Sequence, residues 1–252
     1  MSDTSHKLNV MSFNISSGLT LDERLDLELT ASVIEKADVD IAGLQEVDQN
    51  FSERSDFVDQ VKWLAQRLDM HIAYGPNVTE ASPNTERQVG AYGNAILSRY
   101  PIKSSQNHML EKINGGPESE QRGLLEVAIE IEGTTIAFFS THLSLKEKQL
   151  AHNIDELLQI IRGKEVPVIL TGDFNADPDH PSMMKITEEL ESVFGMDQSH
   201  PVTYKKEGDH GKKIDFIFCS DDWDVLSAET IETEASDHKP VLASVKIVNK
   251  PY

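Results

Sequence analysis

The sequence predicts a single α/β or α+β unit, because strand and helix patterns alternate along the chain. Short apolar runs that are typical of strands recur between residues 8 and 247. Amphipathic patterns that are typical of helices lie between these runs. No repeat, low-complexity tract or clear linker divides the chain. We therefore expect one domain over residues 1–252, a length that can bury a large core.

The elements follow from the period of the apolar residues. Strands are predicted at residues 8–14, 41–46, 71–74, 94–98, 124–131, 135–141, 166–170, 213–220 and 241–247. Three apolar helix faces consist of Leu25, Leu29, Ser32, Val33 and Lys36; of Phe57, Val61, Leu64, Ala65 and Leu68; and of Ile154, Leu157, Leu158 and Ile161. A shorter helix is expected after Pro181, near residues 183–190. Two polar segments, 75–93 and 104–123, are predicted to be long loops that contribute to function.

Charge restricts the partners that the protein can have. The chain carries 23 basic and 43 acidic residues, a net charge of −20, which argues against tight non-specific binding of nucleic acid. One local basic cluster, close to Asp215, either holds a phosphate-rich ligand or forms a solvated loop; its members are Lys205, Lys206, Lys212 and Lys213.

Other sequence features bear on location and redox chemistry. No apolar run is long enough to span a membrane, and the first residues do not resemble a signal peptide. We therefore expect a cytoplasmic protein without a transmembrane segment. The lone cysteine, Cys219, lies in a strand-like run and is expected to be a small buried apolar residue.

Polar residues stand at the ends of the strand-like runs. They are Asn14, Glu46, His142, Asp173, Asn175, Asp215, Asp237 and His238. A single aspartate in such a place is usually a helix cap or a turn former. A whole set of them is a stronger signal, because strand ends that meet at one edge of a sheet can share a cleft.

Three of these residues are candidate metal ligands. Glu46, Asp237 and Asn14 offer hard oxygen donors, which together with waters suit Mg²⁺ or Mn²⁺. A zinc site would use more histidine or cysteine. The oxygen-rich set therefore predicts a magnesium or manganese site.

The remaining residues suit proton transfer and phosphate binding. His142 and His238 can donate to a phosphoryl oxygen or move a proton near neutral pH. Asp215 can orient an imidazole. Asp173 and Asn175 are two residues apart on a turn, so both can face one reacting centre. The set predicts metal-assisted hydrolysis of a phosphoester with water as the nucleophile.

The motifs that hold these residues resemble the endonuclease/exonuclease/phosphatase superfamily of metal-dependent phosphohydrolases, and its compact bacterial members in particular. They occur in the family order over nearly the whole chain, at residues 10–14, 44–47, 93–102, 140–143, 172–178, 214–217 and 236–241. The resemblance implies an α/β fold: a two-sheet sandwich of mixed, mostly antiparallel strands with helices on the outer faces, in four α/β/β/α layers.

The resemblance also implies roles on the metal side of the site. Glu46 is implied as the main metal ligand, supported by Asn14 and Asp237. Arg122, and Asn94 within the 93–102 motif, are implied to contact the substrate phosphate; the alternative for Arg122 is a surface arginine at a strand start.

On the proton-transfer side, the resemblance implies that Asp173 orients or activates the attacking water and that Asn175 holds a phosphoryl oxygen. His142 would stabilise the transition state or assist the leaving group. His238, paired with Asp215, would contact the phosphate or act as the base. Whether Asp173 or His238 is the base stays open at this point.

The predicted substrate class follows from differences between this sequence and the motifs of known branches of the superfamily. The stretch 211–216 lacks the signature of inositol 5-phosphatases, and the segment 111–120 lacks the basic and aromatic residues that repair nucleases insert into DNA. We therefore predict a Mg²⁺-dependent phosphodiesterase or phosphatase that acts on a small or lipid-derived phosphoester, with specificity set by the two long polar segments. The alternatives are a nuclease and, more remotely, a non-catalytic binding module. The sequence leaves the oligomeric state open.

Overall fold

The computed structural model describes residues 7–81, 89–113, 120–196, 200–205 and 210–248. The strands of this part are β1 Lys7–Asn14, β2 Ile41–Gln49, β3 His71–Ala81, β4 Val89–Ser98, β5 Ile102–Met109, β6 Gly123–Ile131, β7 Thr134–His142, β8 Val168–Asp173, β9 Glu191–Ser192, β10 Asp215–Cys219, β11 Trp223–Thr230 and β12 Val241–Ile247. The α-helices are α1 Leu27–Lys36, α2 Gln60–Leu68, α3 Glu147–Arg162 and α4 Pro181–Ile186.

The strands form two six-stranded sheets. The first has the order β11-β12-β1-β2-β4-β3, and the second has the order β5-β6-β7-β8-β10-β9. Two pairs are parallel, β1 with β2 and β7 with β8, and the other ladders are antiparallel. Each parallel pair is joined by a helical crossover, as parallel neighbours require.

Three apolar clusters define the layers. One lies between the sheets, where Val10 of the first sheet and Phe138 of the second are both fully buried. A second packs α1 and α2 against the outer face of the first sheet, with Ile34 and Leu64 in it. The third packs α3 and α4 against the outer face of the second sheet. The predicted two-sheet sandwich with outer helices is therefore confirmed.

Helices α1 and α2 each begin after an aspartate that accepts a hydrogen bond from an amide of the first turn. Asp26 accepts a hydrogen bond from the Leu29 amide at 3.0 Å before α1, and Asp59 accepts one from the Lys62 amide at 3.0 Å before α2. All four predicted helices are present in the described residues, with ends that differ from the predicted ones by several residues.

The prediction of two long loops is wrong for much of their length. Residues 75–81 extend β3, residues 89–93 begin β4, and residues 104–109 belong to β5. Their polar side chains are compatible with strands because β3 and β5 are edge strands, and β5 is largely exposed. Residues 110–113 and 120–122 are in neither helix nor strand, as predicted, whereas residues 82–88 and 114–119, like Lys206, lie outside the described residues.

Two smaller expectations can be compared with this fold. Cys219 is buried in β10, as predicted. Within the described ranges, none of the helices is both long and apolar enough to cross a lipid bilayer.

Candidate active site

The second sheet places three of the predicted residues side by side. β7, β8 and β10 are neighbours, and their register pairs His142 with Asp173 and Asp173 with Asp215. Residues that are paired across strands project from the same face. All three side chains are buried. The polar strand ends in the sequence thus form a single row across one edge of the sheet.

The first sheet supplies Asn14 and Glu46 from adjacent strands. Asn14 ends β1, and Glu46 lies in β2 at a bulge, where the pairing with β4 shifts between Leu44 and Val47. Glu46 has a φ of 57°, in the left-handed region that is costly for a residue with a Cβ atom. Bulges redirect side chains, and the Glu46 carboxylate is turned so that its Oε1 accepts a hydrogen bond from Asn14 Nδ2 at 3.0 Å.

Asn14 joins the two sheets at the centre of the site. Its Nδ2 also donates to Asp173 Oδ2 at 3.0 Å, so carboxylates from opposite sheets converge on one amide nitrogen. Its Oδ1 accepts from the Ser16 amide at 3.0 Å. The potential ligand atoms of Glu46, His142 and Asp173 all lie within 4.8 Å of one another.

His238 lies between two aspartates. Its Nδ1 is 2.9 Å from Asp215 Oδ2, and its Nε2 is 3.7 Å from Asp173 Oδ2. Ser236 fixes the loop that carries His238, because its hydroxyl accepts from the His238 amide at 3.1 Å and donates to the Asn14 carbonyl at 2.7 Å. The predicted pairing of His238 with Asp215 is present in the geometry.

Asn175 positions both Asp173 and His142. It adopts a φ of 52°, which asparagine tolerates better than most residues, and its backbone amide donates to Asp173 Oδ1 at 3.0 Å. Its Nδ2 donates to the Leu143 carbonyl at 2.9 Å and faces His142 Nε2 at 3.0 Å. Because Nδ2 can only donate, Nε2 of His142 is the acceptor and the ring proton is on Nδ1.

The two histidines differ in charge. Burial lowers the pKa of His142 well below 6.5, and the positive charge of Arg122 lowers it further. Burial alone would lower the pKa of His238, but Asp215 and Asp173 raise it to about 10. Burial also raises the pKa of Asp173, and the nearby Asp215 charge adds to that effect. The surroundings therefore favour the neutral form of His142 and the protonated form of His238.

The donor set at the centre fits a hard divalent cation. The Glu46 and Asp173 carboxylates converge on the Asn14 amide group, so a cation placed there would meet oxygen atoms from both sheets. Asn14 would offer its oxygen after its amide turns over, at the cost of the Ser16 contact. Asp237 borders the adjoining cleft, but among the described residues it belongs to neither of the two carboxylate–histidine groups at this centre.

The two predicted phosphate contacts have different surroundings. The Arg122 side chain is mostly buried, its Nη1 is 2.6 Å from Glu120 Oε1, and its Nε has no partner among the described residues. Its charge lowers the pKa of His142, so it lies near the site. Asn94 is buried as well, and its Nδ2 donates to the Gly123 carbonyl at 3.1 Å, which links β4 to β6.

Two clefts open beside this centre. The larger, of about 1070 Å³, is lined by Asp237 and Lys205 among others. The smaller, of about 670 Å³, is lined by Tyr92 and Gln121 among others. Arg54 lines both clefts. The position of Arg54 therefore gives it access to groups on either side of the site.

Two residues of the site, Arg54 and Tyr204, were not predicted from the sequence. The Tyr204 ring packs against the His238 ring at a centroid distance of 4.8 Å, and the backbones of these two residues form an isolated antiparallel β-bridge. Neither residue follows an apolar run, so the strand-end criterion could not find them. For Arg54, the only signal was an arginine shortly after the Glu46 motif, which is weak without a structure.

Known proteins share this fold. The sequence model of the Endonuclease/Exonuclease/phosphatase family matches residues 11–238. Uncharacterized protein YbhP of Escherichia coli strain K12 is 28% identical over 212 residues, which cover 76% of each chain. An endonuclease/exonuclease/phosphatase structure from Beutenbergia cavernae has a TM-score of 0.76 at 23% identity and covers 96% of this chain and 72% of its own.

A second solved structure carries a more specific name. The mannosyl-6-phosphatase Bt3783 of Bacteroides thetaiotaomicron superposes with a TM-score of 0.69 at 20% identity, covering 94% of this chain and 99% of its own. At this level of identity the two structural matches establish the fold only. The family match, in contrast, spans every residue of the central cluster from Asn14 to His238. The chain therefore belongs to the endonuclease/exonuclease/phosphatase family.

Proposed function

We propose that this protein hydrolyses phosphoester bonds with Mg²⁺ or Mn²⁺, as a phosphodiesterase or phosphatase that acts on a small or lipid-derived phosphoester. Members of the family include phosphatases, phosphodiesterases and nucleases. The observation that carries the proposal is the convergence of Glu46 and Asp173 on Asn14, with His142 and His238 alongside. The name of the Bacteroides thetaiotaomicron phosphatase is compatible with this chemistry.

Glu46 and Asn14 would hold the metal from the first sheet, with Asp237 as a further predicted ligand. The bound ion supplies positive charge that polarises a phosphoryl oxygen and lowers the pKa of water. The bulge at Glu46 supports this role, because the backbone of Glu46 adopts a strained conformation that directs its carboxylate toward the cluster.

Asp173 is the better candidate for the base. Asp215 and Asp173 raise the pKa of His238, which favours a protonated ring that would donate from Nε2 to a phosphoryl oxygen rather than accept a proton. Asp215 holds the His238 ring through Nδ1, which fixes Nε2 on the side of Asp173. Asp173 would then accept the proton of a water molecule that attacks phosphorus.

Asn175, His142 and Arg122 would act on the phosphate itself. Asn175 lies within hydrogen-bond distance of His142 and could transfer its amide donor to a phosphoryl oxygen when substrate binds. His142 would need its proton on Nε2 to donate to that oxygen, which requires the Asn175 amide to turn away. The unpaired Nε of Arg122 offers one further donor close to this group.

The proposal is tested by a substrate panel. Bis-p-nitrophenyl phosphate, phospholipid head-group esters and nucleic acids are incubated with Mg²⁺, with Mn²⁺ or with EDTA. We expect hydrolysis of at least one phosphoester that depends on the metal. If none of the substrates is hydrolysed in a metal-dependent way, the proposal that this protein is a phosphoesterase is contradicted. Efficient cutting of plasmid DNA would instead favour the nuclease alternative.

Substitution of Glu46 separates catalysis from simple binding. Glu46→Gln keeps the size of the side chain but removes the charge, and we expect a loss of activity of about a hundredfold or more. Glu188→Gln, at an exposed glutamate two residues after α4, is the matched control and should keep full activity. Equal activity of the two variants would refute the role of Glu46. The single catalytic domain over residues 1–252 and the cytoplasmic location stay predictions.

A further inference from the structure

Arg54 is held in a fixed orientation next to the metal side of the site. It pairs with Asp48, which lies on β2 two residues after Glu46 and is fully buried. Arg54 Nε donates to Asp48 Oδ2 at 3.1 Å, and Nη2 donates to Oδ1 at 2.9 Å. A two-point contact of this kind fixes the plane of the guanidinium as well as its position.

The partners of this ion pair are themselves restrained. Asp48 Oδ2 also accepts from the Ser55 hydroxyl at 2.7 Å, and its backbone amide donates to Gln60 Oε1 at 3.0 Å. The guanidinium of Arg54 lies 5.0 Å from the centre of the Tyr92 ring and 5.6 Å from that of Phe51. Little side-chain entropy therefore remains to be lost when Arg54 binds a ligand.

One edge of the guanidinium faces away from this support. Asp48 uses Nε and one hydrogen of Nη2, so the Nη1 hydrogens and the second Nη2 hydrogen are directed away from that carboxylate. The side chain is 40% exposed and borders both clefts. These donors can therefore reach a ligand that extends into either cleft.

The charges of the larger cleft indicate where an anion would bind. The cleft is lined by two cations, Arg54 and Lys205, and by three acids, Asp22, Glu23 and Asp237. An oxyanion is repelled by the acids and attracted by the cations. A cleft of about 1070 Å³ is also far larger than one phosphate group needs. Within this lining, the favourable position for a second anion is beside the donors of Arg54 that Asp48 does not use.

We propose that Arg54 is a specificity-determining residue that binds a second oxyanion of the substrate, a phosphate or carboxylate located beyond the phosphate that is cleaved. The proposal rests on the proposed function, since it assigns the scissile phosphate to the cluster around Glu46. It narrows the substrate class to phosphoesters that carry two anionic groups. Neutral head groups and simple monophosphates would bind the same site less tightly.

The test uses ligands that cannot be hydrolysed. Alkane bisphosphonates from ethane to hexane, and the alkyl monophosphonates of equal chain length, are titrated into the intact protein by calorimetry with saturating Mg²⁺. A factor of about two arises simply because a bisphosphonate has two equivalent ends. We expect at least one bisphosphonate to bind about tenfold more tightly than its monophosphonate, as a charge-assisted bidentate contact allows.

Variants assign this preference to Arg54. Arg54→Gln should reduce the ratio of the two dissociation constants to about two, the statistical value. Lys205→Gln should reduce the ratio in part. Arg162→Gln is the matched control, because Arg162 is also an exposed arginine paired with a carboxylate, at the end of α3, and it should keep the full ratio. Thermal unfolding is measured for each variant, since Arg54→Gln leaves Asp48 without its counter-ion.

The outcomes are distinct. A wild-type ratio near two at every chain length overturns the proposal, whether or not the variants fold. An Arg54→Gln protein that weakens both ligand classes equally also overturns it, because Arg54 would then bind the scissile phosphate. If Arg54→Gln does not fold, Arg54→Lys retains the charge without the planar fork and should lose most of the preference. Hydrolysis of bis-p-nitrophenyl phosphate is measured separately, so failure of the proposed function is recognised independently.

Discussion

Gly43 lies at a close contact between the two sheets, and its substitution by alanine is expected to damage both stability and activity. A Cβ atom at Gly43 in β2 would lie 2.0 Å from Thr171 Oγ1 in β8, and 3.2 Å from Ser140 Cβ in β7. Glu46 follows Gly43 by three residues, and Asp173 follows Thr171 by two. The contact therefore sets the spacing between the two sides of the active site.

The magnitude follows from this geometry. A contact of 2.0 Å is shorter than a normal carbon–oxygen contact by more than 1 Å, and overpacking of a core typically costs about 1–3 kcal/mol. The Thr171 hydroxyl cannot rotate away freely, because it donates to the Phe139 carbonyl at 2.8 Å. Losing that buried hydrogen bond would add about 1 kcal/mol. We expect Gly43→Ala to lower the free energy of unfolding by about 2–4 kcal/mol.

Urea unfolding of a double-mutant cycle measures the contact itself. Thr171→Ala removes Oγ1, after which the nearest atoms to the new Cβ are at 3.1 and 3.2 Å, distances that small shifts can relieve. We therefore expect the double variant to be more stable than the sum of the single effects, by about 1 kcal/mol or more. Gly163→Ala is the control: its Cβ would meet only the Ile160 carbonyl at 3.5 Å, so its stability should be unchanged or slightly increased.

Activity gives a second readout of the same contact. A displacement of about 1 Å between reacting groups can reduce the rate about a hundredfold. Gly43→Ala should therefore lower kcat/KM for bis-p-nitrophenyl phosphate under conditions in which the variant is still folded, and Thr171→Ala should restore part of it. Additive effects of the two substitutions, or a Gly43→Ala protein as stable as the wild type, would refute this account of the sheet spacing.

Two further predictions concern buried groups away from the site. Glu126 Oε1 is 2.5 Å from Lys164 Nζ and Oε2 is 2.8 Å from His108 Nε2; burial alone would raise its pKa, but these partners lower it below 4.5. Glu126→Gln should lower the free energy of unfolding, measured in urea at pH 7, by about 1–2 kcal/mol. The more exposed Glu130→Gln is the control and should lower it by only about 0–0.5 kcal/mol. The difference between the two variants should vanish as the pH falls through the lowered pKa of Glu126. Burial raises the pKa of Cys219 to about 12, so a thiol reagent should modify the native protein far more slowly than the urea-unfolded protein; equal rates would contradict its burial.

The accuracy of the predicted fold depended on where each strand lies in its sheet. The central strands β1, β2, β7 and β8 are nearly continuous buried runs, and apolar pattern located all of them. The three strands that were missed, β5, β9 and β11, all lie at sheet edges, and the fourth edge strand, β3, was predicted at less than half its length. An edge strand has one unpaired side and often exposed faces, so its sequence need not be apolar. Predictions from the hydrophobic pattern therefore underestimate the number of strands in a sheet.

The candidate site was easier to predict than the clefts around it. Residues such as Asp173 and His142 follow buried strands directly, so the position of the strand determines the position of the side chain. Arg54 is different, because its role depends on Asp48 and on two rings that reach it from separate segments. No local sequence pattern predicts that residues from separate segments will be in contact. The groups that would perform chemistry were therefore identifiable, whereas the groups that would select a substrate needed the tertiary structure.

The order of the motifs has a physical consequence for how the site forms. Asn14 and Glu46 belong to the first sheet, and Asp173 and Asp215 belong to the second. His238 lies just before β12, where the chain enters the first sheet again. Neither sheet alone holds a complete cluster, so the site exists only when the apolar layer between the sheets has packed. The hydrogen bonds of Asn14 to both Glu46 and Asp173 couple that packing to the distance between the two carboxylates. Small shifts of the core at Gly43 should therefore alter the rate of catalysis, although Gly43 itself is not one of the clustered residues.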